Sequence, residues 1–520
     1  MSGENQSTPV GPGLLRPVGL VFGLTLTVNV VNYVRDAAVV AHLGAGGAAD
    51  ALLTVLLFAG LLLQLLVTGS VAPSLITVYQ ELRTARPGDA LTLISTLLTA
   101  CAAALTLLAA AGVLWAPGLI GLLLPGSDPS TQAMAVQAAR FVLPGSVCMI
   151  LSAILGAVLN AHGRFGLPAV SPAALGLAVI AVLTFVPRPS VGELAAAAAV
   201  GMALQLAIHL AAARVAGWHW RRPRLGPAVQ RAQTHRVIAL SLPLIAYLGA
   251  SHVVTVFERI FASTLGGGTI ARLTLAQKIA SLPLFLIAGS VSTVLLPRLA
   301  GLGSRPEAFR RTVADGLRAA GPPLLLAMIW LLGATREIVD LLYRHGAFTE
   351  VDAARTAVLL RAYAGGVLPA GVALVCLRAL NARQDVSTPL RVGAISLVVY
   401  LVAARLLLPH LGALGLALAL TATTAVSAAL LAMTLVRRHE MLGLRDLGRA
   451  TLVWLPAATG ALATCLLLGR SWSVGAGSLA QFVRVVAMLA ASGAVFASVG
   501  QVLGRWSRPR PSAGGTRAKE

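Results

Sequence analysis

Fourteen long apolar segments, separated by short clusters rich in Gly, Pro and Arg, constrain this chain more than any other feature. A helix needs about 20 mostly apolar residues to cross a bilayer, and only helices satisfy their own backbone hydrogen bonds there. We therefore predict an all-α polytopic membrane protein of about 14 transmembrane helices. The predicted spans are 18–42, 48–80, 90–115, 131–160, 165–186, 191–216, 236–263, 270–297, 313–334, 353–379, 387–408, 411–436, 447–468 and 478–503.

Composition excludes a string of soluble domains. Charged residues are 11% of the 520 residues and apolar residues 57%, whereas a soluble domain carries about 25% charged residues. Little of the chain is therefore expected outside the bilayer. The four cysteines lie far apart in apolar runs, without the spacing of a metal site, and are predicted to be small core residues: Cys101, Cys148, Cys376 and Cys465.

The net charge of +22 is predicted to reflect topology. In a soluble protein it would suggest nucleic acid, but cytoplasmic loops of membrane proteins collect Lys and Arg, so no nucleic-acid partner is expected. If the N-terminus is cytoplasmic, most Lys and Arg fall in the cytoplasmic connections and tails, and few fall in the outer connections. Both termini are therefore predicted to be cytoplasmic. No cleaved signal peptide is predicted. The outer connections, with the span ends that adjoin them, hold Arg188, Arg272, Arg336, Arg344, Arg355 and Arg470.

An internal repeat divides the chain. LNAHGRFGLP begins at Leu159 and LNARQDVSTP at Leu380, while HLGAGGAAD ends at Asp50 and TLGGGTIAR at Arg272. Both pairs are separated by about 220 residues, which predicts two similar six-helix lobes around a central cavity. The predicted organisation is an N-terminal tail (1–17), an N-lobe (18–216), a basic cytoplasmic linker (217–235), a C-lobe (236–436), two further helices (437–505) and a basic tail (506–520).

Basic side chains inside the predicted spans are candidate ligand-binding groups. Each costs roughly 2.5–3.5 kcal/mol at a helix centre on insertion scales, so it should face a cavity or a partner. Basic groups on a shared cavity would attract an anionic ligand. Three of them (Arg140, Arg405, Arg484) are expected to reach a bilayer interface instead, and Arg361 fits either interpretation. The set is Arg35, Arg140, Arg259, Lys278, Arg361, Arg405 and Arg484.

Two positions within this set have distinct surroundings in the sequence. Arg35 adjoins Asp36, so it either forms an internal ion pair that joins helices or binds an anionic substrate. Lys278 precedes Pro283 by five residues, and a proline can break a helix and open a cavity beside the lysine.

Acidic residues suggest a second kind of site. Glu258 and Arg259 are neighbours, which point about 100° apart on a helix and cannot pair with each other. Glu258, Asn381 and Asp385 together could form an oxygen-rich cation site, since hard cations bind carboxylate and amide oxygens. Alternatively, Asn381 and Asp385 merely cap the helix that follows.

Enzymatic motifs are absent from the sequence. It has no HExxH, GxxxxGK[ST] or GxSxG pattern, and its loops are too short for a soluble catalytic domain. We therefore expect a transporter without a catalytic centre or a resident organic cofactor.

Several segments together resemble the MurJ (MviN) lipid II flippase family of the multidrug/oligosaccharidyl-lipid/polysaccharide exporter superfamily. The resemblance implies fourteen helices, a basic central cavity and alternating access in a bacterial plasma membrane. The expected activity is translocation of the undecaprenyl-pyrophosphate-linked peptidoglycan precursor for cell-wall biogenesis. The segments are VRDAAVVAHLGAGGAADAL (34–52), LNAHGRFGLPAVSP (159–172), ERIFASTLGGGTIARLTLAQKIASLPL (258–284), TVLLPRLA (293–300), LYRHGAFT (342–349) and RALNARQDVSTPLRV (378–392).

The resemblance also assigns roles to residues. Arg35 matches a substrate-cavity arginine, Asp50 an important acid at the start of helix two, and Lys278 a position that is often arginine. It further implies that Glu258, Asn381 and Asp385 are similar to a sodium site. The candidate substrate-binding set also includes Arg259 and Arg361, from the argument on basic groups in a shared cavity, and Asn29, which stands at the position of a family arginine. The implied partners are lipid II or a similar polyprenyl-pyrophosphate glycan, and membrane lipids. Cell-wall synthesis proteins are the partners that the scaffold alternative given below would require.

The cavity departs from the family pattern at several positions. Asn29 stands where a second arginine is common, and Gly60, Leu63 and Gln64 replace an Asn and adjacent arginines of helix two. Three alternatives therefore stay open at this point: an exporter of another polyprenyl-linked glycan, a drug exporter, and a membrane scaffold for cell-wall synthesis that does not transport. A membrane-embedded glycosyltransferase is weaker, since no long loop carries paired acids.

Overall fold

The computed structural model describes residues 12–65, 78–82, 87–218, 252–302, 305–385, 387–437, 454–471 and 478–506, with residues 76, 235 and 249. These residues form helices and turns. The helices are α1 (Pro12–Leu43), α2 (Gly47–Leu63), α3 (Pro87–Leu114), α4 (Ala116–Leu123), α5 (Pro129–Ala161), α6 (Gly166–Val170), α7 (Ala173–Phe185), α8 (Val191–Val215), α9 (252–263), α10 (Thr269–Pro283), α11 (Gly289–Gly301), α12 (Pro306–Gly333), α13 (Thr335–Tyr343), α14 (Glu350–Ala364), α15 (Val367–Ala382), α16 (Ser387–Leu411), α17 (Ala413–Arg437), α18 (Leu455–Ser471) and α19 (Ser478–Trp506).

The predicted all-α membrane fold is confirmed, and each of the fourteen predicted spans overlaps a described helix. Among the described residues, eight helical segments are by themselves long and apolar enough to cross a membrane. Helices α14 and α15, bent by 42° relative to each other, make a ninth span when taken together. Three apolar helices, α2, α7 and α18, are shorter, and the predicted span 236–263 is described only in part.

The chain divides into two compact units. Unit 1 comprises residues 1–274 and 345–352, and unit 2 comprises residues 275–344 and 353–520. Unit 1 therefore contains residues of both predicted lobes. Within it, α5 packs against α2, α3 and α8, and α7 packs against α1 and α8. Its core includes Tyr79, Leu93, Ile94 and Leu155.

In unit 2, α12 packs against α11, α15 and α18. The two C-terminal helices α18 and α19 pack along each other, and so do α16 and α17. Arg484 of α19 does more than reach an interface, because it donates to the Gly469 carbonyl oxygen at 2.6 Å and to Glu337 Oε1 at 3.3 Å. This ion pair links α13 to α19.

Two helix starts in unit 1 carry side-chain caps of the residue types that are favoured there. Asp128 accepts from the Thr131 backbone N–H at 3.0 Å before α5, and Ser190 forms a capping box with Glu193 at the start of α8. Hydrogen bonds from the Ser130 hydroxyl, and from the Thr131 N–H and hydroxyl, lower the pKa of Asp128 to about 2. The α5 cap therefore stays ionised at neutral pH.

The span that carries Lys278 does not stop at Pro283. A π-helical turn, Leu284–Ala288, follows the proline, and α11 continues the helix to Gly301. Since a proline removes one backbone hydrogen bond, the wider turn accommodates the break without ending the span.

Some predictions concern residues outside the described ones. They include most of the linker 217–235, the tail 1–17 up to residue 11, and the tail 506–520 beyond Trp506. The scaffold alternative, which would use the basic linker and tail to recruit cell-wall synthesis proteins, stays a prediction.

Close helix packing in unit 1 makes Gly201→Ala destabilising. A Cβ at position 201 would lie 2.6 Å from Leu175 Cα, so α8 must move away from α7. We expect a loss of about 1–3 kcal/mol, the usual cost of overpacking, measured as a lower thermal unfolding midpoint in detergent. Gly121→Ala is the control, because a Cβ there meets nothing within 4 Å; an equal loss in both variants would contradict the packing argument.

Candidate functional site

A carboxylate from the start of α2 caps the start of α10. Asp50 is 2% exposed, and its two oxygens accept the backbone N–H groups of Gly268 and Ala271, each at 2.6 Å. The first N–H groups of a helix have no partner within the helix and carry a partial positive charge, so an anion is favoured there. Asp50 supplies this anion from more than 200 residues away in sequence.

Glycine at position 268 makes this close approach possible. Gly268 has a φ of +81°, a conformation that favours glycine. A Cβ there would also lie only 1.9 Å from the carbonyl oxygen of Ala45, in the turn between α1 and α2. The turns that precede α2 and α10 are therefore in direct backbone contact.

A buried ion pair extends the cluster. Arg272, 8% exposed on the first turn of α10, donates through Nη1 to Asp352 Oδ1 at 2.9 Å. Asp352 also forms a capping box with Thr349 at the start of α14, through bonds of 2.7 and 3.2 Å. One carboxylate thus holds both the α14 start and the α10 arginine.

The same loop before α14 completes the end of α1. The Ala347 backbone N–H donates to the Ala41 carbonyl oxygen at 2.6 Å, and so satisfies an acceptor in the last turn of that helix. Gly346 has a φ of +59°, and a Cβ there would lie 2.2 Å from the same oxygen. We call these contacts the helix-end junction: Ala41, Gly44, Ala45, Asp50, Gly268, Ala271, Arg272, Gly346, Ala347 and Asp352.

The junction joins four helix ends by groups that water could also satisfy. Its bonds run mainly from side chains and loop amides to helix-terminal backbone groups, and all of its residues belong to unit 1. Water can satisfy the same N–H and carbonyl groups where a helix end is exposed.

Arg35 of α1 forms an ion pair with Asp36, but the pair does not join two helices as the sequence interpretation had it. It is 8% exposed, and it donates through Nε to Asp36 Oδ1 at 2.8 Å and through Nη1 to Asn32 Oδ1 at 3.2 Å. The pair lies within a single helix and joins neighbouring residues, so the expectation that neighbours on a helix cannot pair does not hold for a side chain as long as arginine. A guanidinium has five N–H donors, so these contacts do not exclude a further one to a substrate. Substrate binding by Arg35 stays a prediction.

The remaining predicted substrate-binding residues differ in exposure. Asn29 is half-buried and donates to the Thr25 carbonyl oxygen at 2.9 Å. Arg361 is exposed on α14, and its Nε lies 3.4 Å from Thr335 Oγ1. Lys278 of α10 is half-buried in unit 2, one turn before the proline and the π-helical turn.

The predicted cation ligands have separate local roles. Asp385 accepts from the Thr388 N–H at 3.0 Å and hydroxyl at 2.7 Å, and so caps α16 as the alternative interpretation proposed. Asn381 is exposed, and Glu258 is fully buried in α9 beside Arg259. Arg259 Nη1 donates to the Ile270 carbonyl oxygen at 3.2 Å. The sodium site stays a prediction.

Sequence reasoning missed most of the junction. It singled out Asp50, but it placed Arg272 in a loop and did not consider Asp352 or the backbone N–H groups of Gly268. Two signals were available. Asp50 and Arg272 occupy matching places in the repeat, and Thr349 with Asp352 fits the [ST]-x-x-[DE] capping pattern.

Comparison with known proteins identifies similar chains over most of the length. The family model described as lipid II flippase MurJ matches residues 39–487. A relative from Rhizobium meliloti, named probable lipid II flippase MurJ, is 30% identical over 82% of this chain and 81% of its own. A Burkholderia cenocepacia relative, named lipid II flippase MurJ, is 26% identical over 82% of this chain and 84% of its own.

Solved structures agree with this chain in fold. A lipid II flippase MurJ in an inward closed conformation superposes with a TM-score of 0.76 at 19% identity, over 92% of this chain and 99% of that one. An inward-facing multidrug resistance MATE family transporter of the MOP superfamily gives 0.67 at 14% identity, over 78% and 96%.

Removal of the Asp50 carboxylate should loosen the start of α10. In Asp50→Ala, the buried N–H groups of Gly268 and Ala271 lose their acceptor, which costs about 1–3 kcal/mol for each unsatisfied group. We expect faster hydrogen–deuterium exchange in peptides that cover 266–272. Asp128→Ala is the matched control: it removes a local cap and should affect only the start of α5. Unchanged exchange at 266–272 would contradict the assigned role of Asp50.

Proposed function

Because the chain belongs to the lipid II flippase MurJ family, we propose that it moves lipid II from the inner to the outer leaflet by alternating access, for peptidoglycan synthesis. The observation that carries the proposal is the family match over residues 39–487, together with the helix-end junction of the described fold. Lipid II carries a diphosphate between a polyprenyl tail and a saccharide-peptide headgroup. The protein must therefore move a charged headgroup while the tail stays in lipid.

We propose that both termini are cytoplasmic. The support is the concentration of Arg in the connections on one side of the predicted spans. This orientation places the end of α1 and the starts of α2, α10 and α14 at the outer surface. The helix-end junction is then an outer closure.

The outer closure is proposed to hold the inward-open state and to separate in the outward-open state. Asp50 would leave the N–H groups of Gly268 and Ala271, and Ala347 would leave the end of α1. Each of these backbone groups faces water once the ends part, so the cost of opening is limited to exchanged hydrogen bonds, of net value about 0.5–1.5 kcal/mol each. A small free-energy difference between the inward-open and outward-open states suits a transporter that must populate both.

The basic residues within the spans are proposed to bind the diphosphate. Arg35 fits this role because a guanidinium can bind phosphate oxygens through two parallel hydrogen bonds while it keeps its contact with Asp36. Lys278 fits it as a point charge on a flexible stem beside a broken helix. The roles of Arg35 and Lys278 are assigned separately, each from the contacts and helix geometry around that residue.

The proposal of diphosphate binding predicts slower translocation in Arg35→Ala and Lys278→Ala. We expect at least about a tenfold loss in each, since one hydrogen bond to a charged group is worth about 1.5–3 kcal/mol. The measurement is lipid II translocation in vesicles that contain the purified full chain. Lys278→Arg should retain activity, because it keeps the positive charge.

A double variant separates binding from charge balance. If Arg35 served only to neutralise buried Asp36, Arg35→Gln with Asp36→Asn would restore translocation, since both charges are then removed. We expect the double variant to stay as slow as Arg35→Ala. Recovery of the wild-type rate would remove Arg35 from substrate binding and leave the family function intact.

A disulfide across the junction should lock the outer closure. Ideal Cβ positions place residue 44 within 3.7 Å of Ala347 Cβ, and disulfide-bonded cysteines have Cβ atoms about 3.8 Å apart. In Gly44→Cys/Ala347→Cys, oxidation should stop translocation and a reductant should restore it. Each single variant is a control, and Gly44→Cys also tests the strain at a φ of +69°. Equal flipping by the oxidised and reduced double variant would exclude the junction as a closure.

Rival functions are distinguished by a cellular test. The chain should rescue a strain depleted of its own lipid II flippase, which a scaffold without transport or an exporter of another glycan would not do. Similarity to MATE transporters at 14% identity concerns the fold only and does not favour drug export.

A further inference from the structure

An apolar pocket in unit 1 lies outside the proposed transport machinery. Its cavity of about 390 Å³ lies between α2, α3, α4 and α5, within the size range of ligand pockets, about 300–1,000 Å³. Phe58 and Leu62 of α2 form one wall, and Leu143 and Ile150 of α5 form another. Ser146 is the one hydroxyl of the lining, and its hydrogen is donated to the Leu143 carbonyl oxygen at 2.6 Å. The lining therefore suits a hydrocarbon.

Trp115 lies at the mouth of the pocket, where Gly118 leaves room for its indole ring. Trp115, 58% exposed, lies between α3 and α4 and lines the pocket. A Cβ at Gly118 would lie 2.4 Å from Trp115 Nε1, so the ring rests directly against the α4 backbone. No acceptor for the indole N–H is found within the described part of the chain, and Trp with one polar edge favours the membrane–water interface.

Neighbouring side chains place the mouth against lipid. Leu108 is 59% exposed and lines the pocket, and Leu107 and Leu114 on the same helix are 72% and 85% exposed. The pocket runs from the α3 end at Trp115 toward the middle of the span, at Leu105. An acyl chain that enters the pocket from the bilayer would thus stay parallel to the other acyl chains of the leaflet.

We infer that this pocket binds one acyl chain of a membrane phospholipid, with the Trp115 N–H donating to an ester carbonyl oxygen of that lipid. A phospholipid presents ester carbonyls at the level of interfacial tryptophans, whereas a polyprenyl diphosphate has none. The topology proposed above places the mouth of the pocket, at the α3 end, in the outer leaflet. The pocket itself does not depend on that topology. Since Phe58 lies on α2 two turns after Asp50, an occupied pocket supports the helix that carries the α10 cap.

Photolabelling tests the occupant. The full chain is reconstituted in phosphatidylethanolamine and phosphatidylglycerol vesicles that include a phosphatidylethanolamine with a diazirine in one acyl chain. Irradiation and mass spectrometry should place the label on pocket residues such as Phe58, Leu105 and Leu143. Labelling there should exceed that of Val398 and Val402, which are exposed on α16 and report general lipid contact.

Two tryptophan variants on adjacent residues give a matched comparison. Ala111 lines the pocket, whereas Ala110 is exposed on the same helix and does not. Ala111→Trp fills the cavity and should lower pocket labelling by about tenfold, a difference in binding of about 1.4 kcal/mol, while Ala110→Trp should not. Val147→Phe, on the opposite wall, provides a second filling variant if Ala111→Trp does not fold.

The outcomes decide the inference independently of transport. Equal pocket labelling in wild type and both filling variants overturns it. A polyprenyl diphosphate with a diazirine in its tail is the parallel probe, and pocket labelling by that probe alone overturns the assignment to a phospholipid. Lipid II translocation is measured on the same samples, so failure of the pocket and failure of the flippase proposal are read separately.

Discussion

Satisfaction of backbone groups at helix ends is the constraint on which this structure depends. Within a bilayer an unmatched N–H or carbonyl group costs several kcal/mol, so long helices are imposed and their ends must find partners. Here distant segments supply those partners: Asp50 caps α10, and Ala347 caps the end of α1. Contacts of this type hold an end closed yet can be exchanged for water at a surface. The proposed alternating access follows from that exchange.

Buried charged residues are few in the described part of the chain, and two of its buried arginines form ion pairs. Arg35 lies beside Asp36 in one helix, and Arg272 binds Asp352 across two helix starts. An uncompensated buried charge is strongly destabilising, whereas a paired one adds little net stability. These pairs are therefore better explained by specificity than by stability. Arg35 can keep its bond to Asp36 and still offer other donors to a diphosphate, which a neutral residue could not do.

Packing between helices depends on small residues. Gly145 faces Ala199, and Gly201 faces Leu175, at separations that would admit no additional Cβ. Close approach of this kind is the usual means of helix association where no hydrophobic difference separates protein from lipid. Beside α3 the bulky side chains of Leu105 and Leu108 contribute to a pocket instead of a closed seam. Close packing and an open lipid pocket thus occur within the same unit.

The sequence by itself determined the fold class and the places of the spans, because apolar length is a local property that a bilayer reads directly. It also identified Asp50, Arg35 and Lys278 as candidate functional residues among the charged side chains. For Asp385 it offered a helix cap as the alternative to a cation ligand. It could not identify the partners of Asp50, because backbone N–H groups of Gly268 and Ala271 leave no mark in residue type. Only the tertiary structure decided that Arg272 binds Asp352 and that α2, α3, α4 and α5 leave a cavity between them. Such choices depend on which distant segments meet, and a sequence pattern records the need for a partner but not its position.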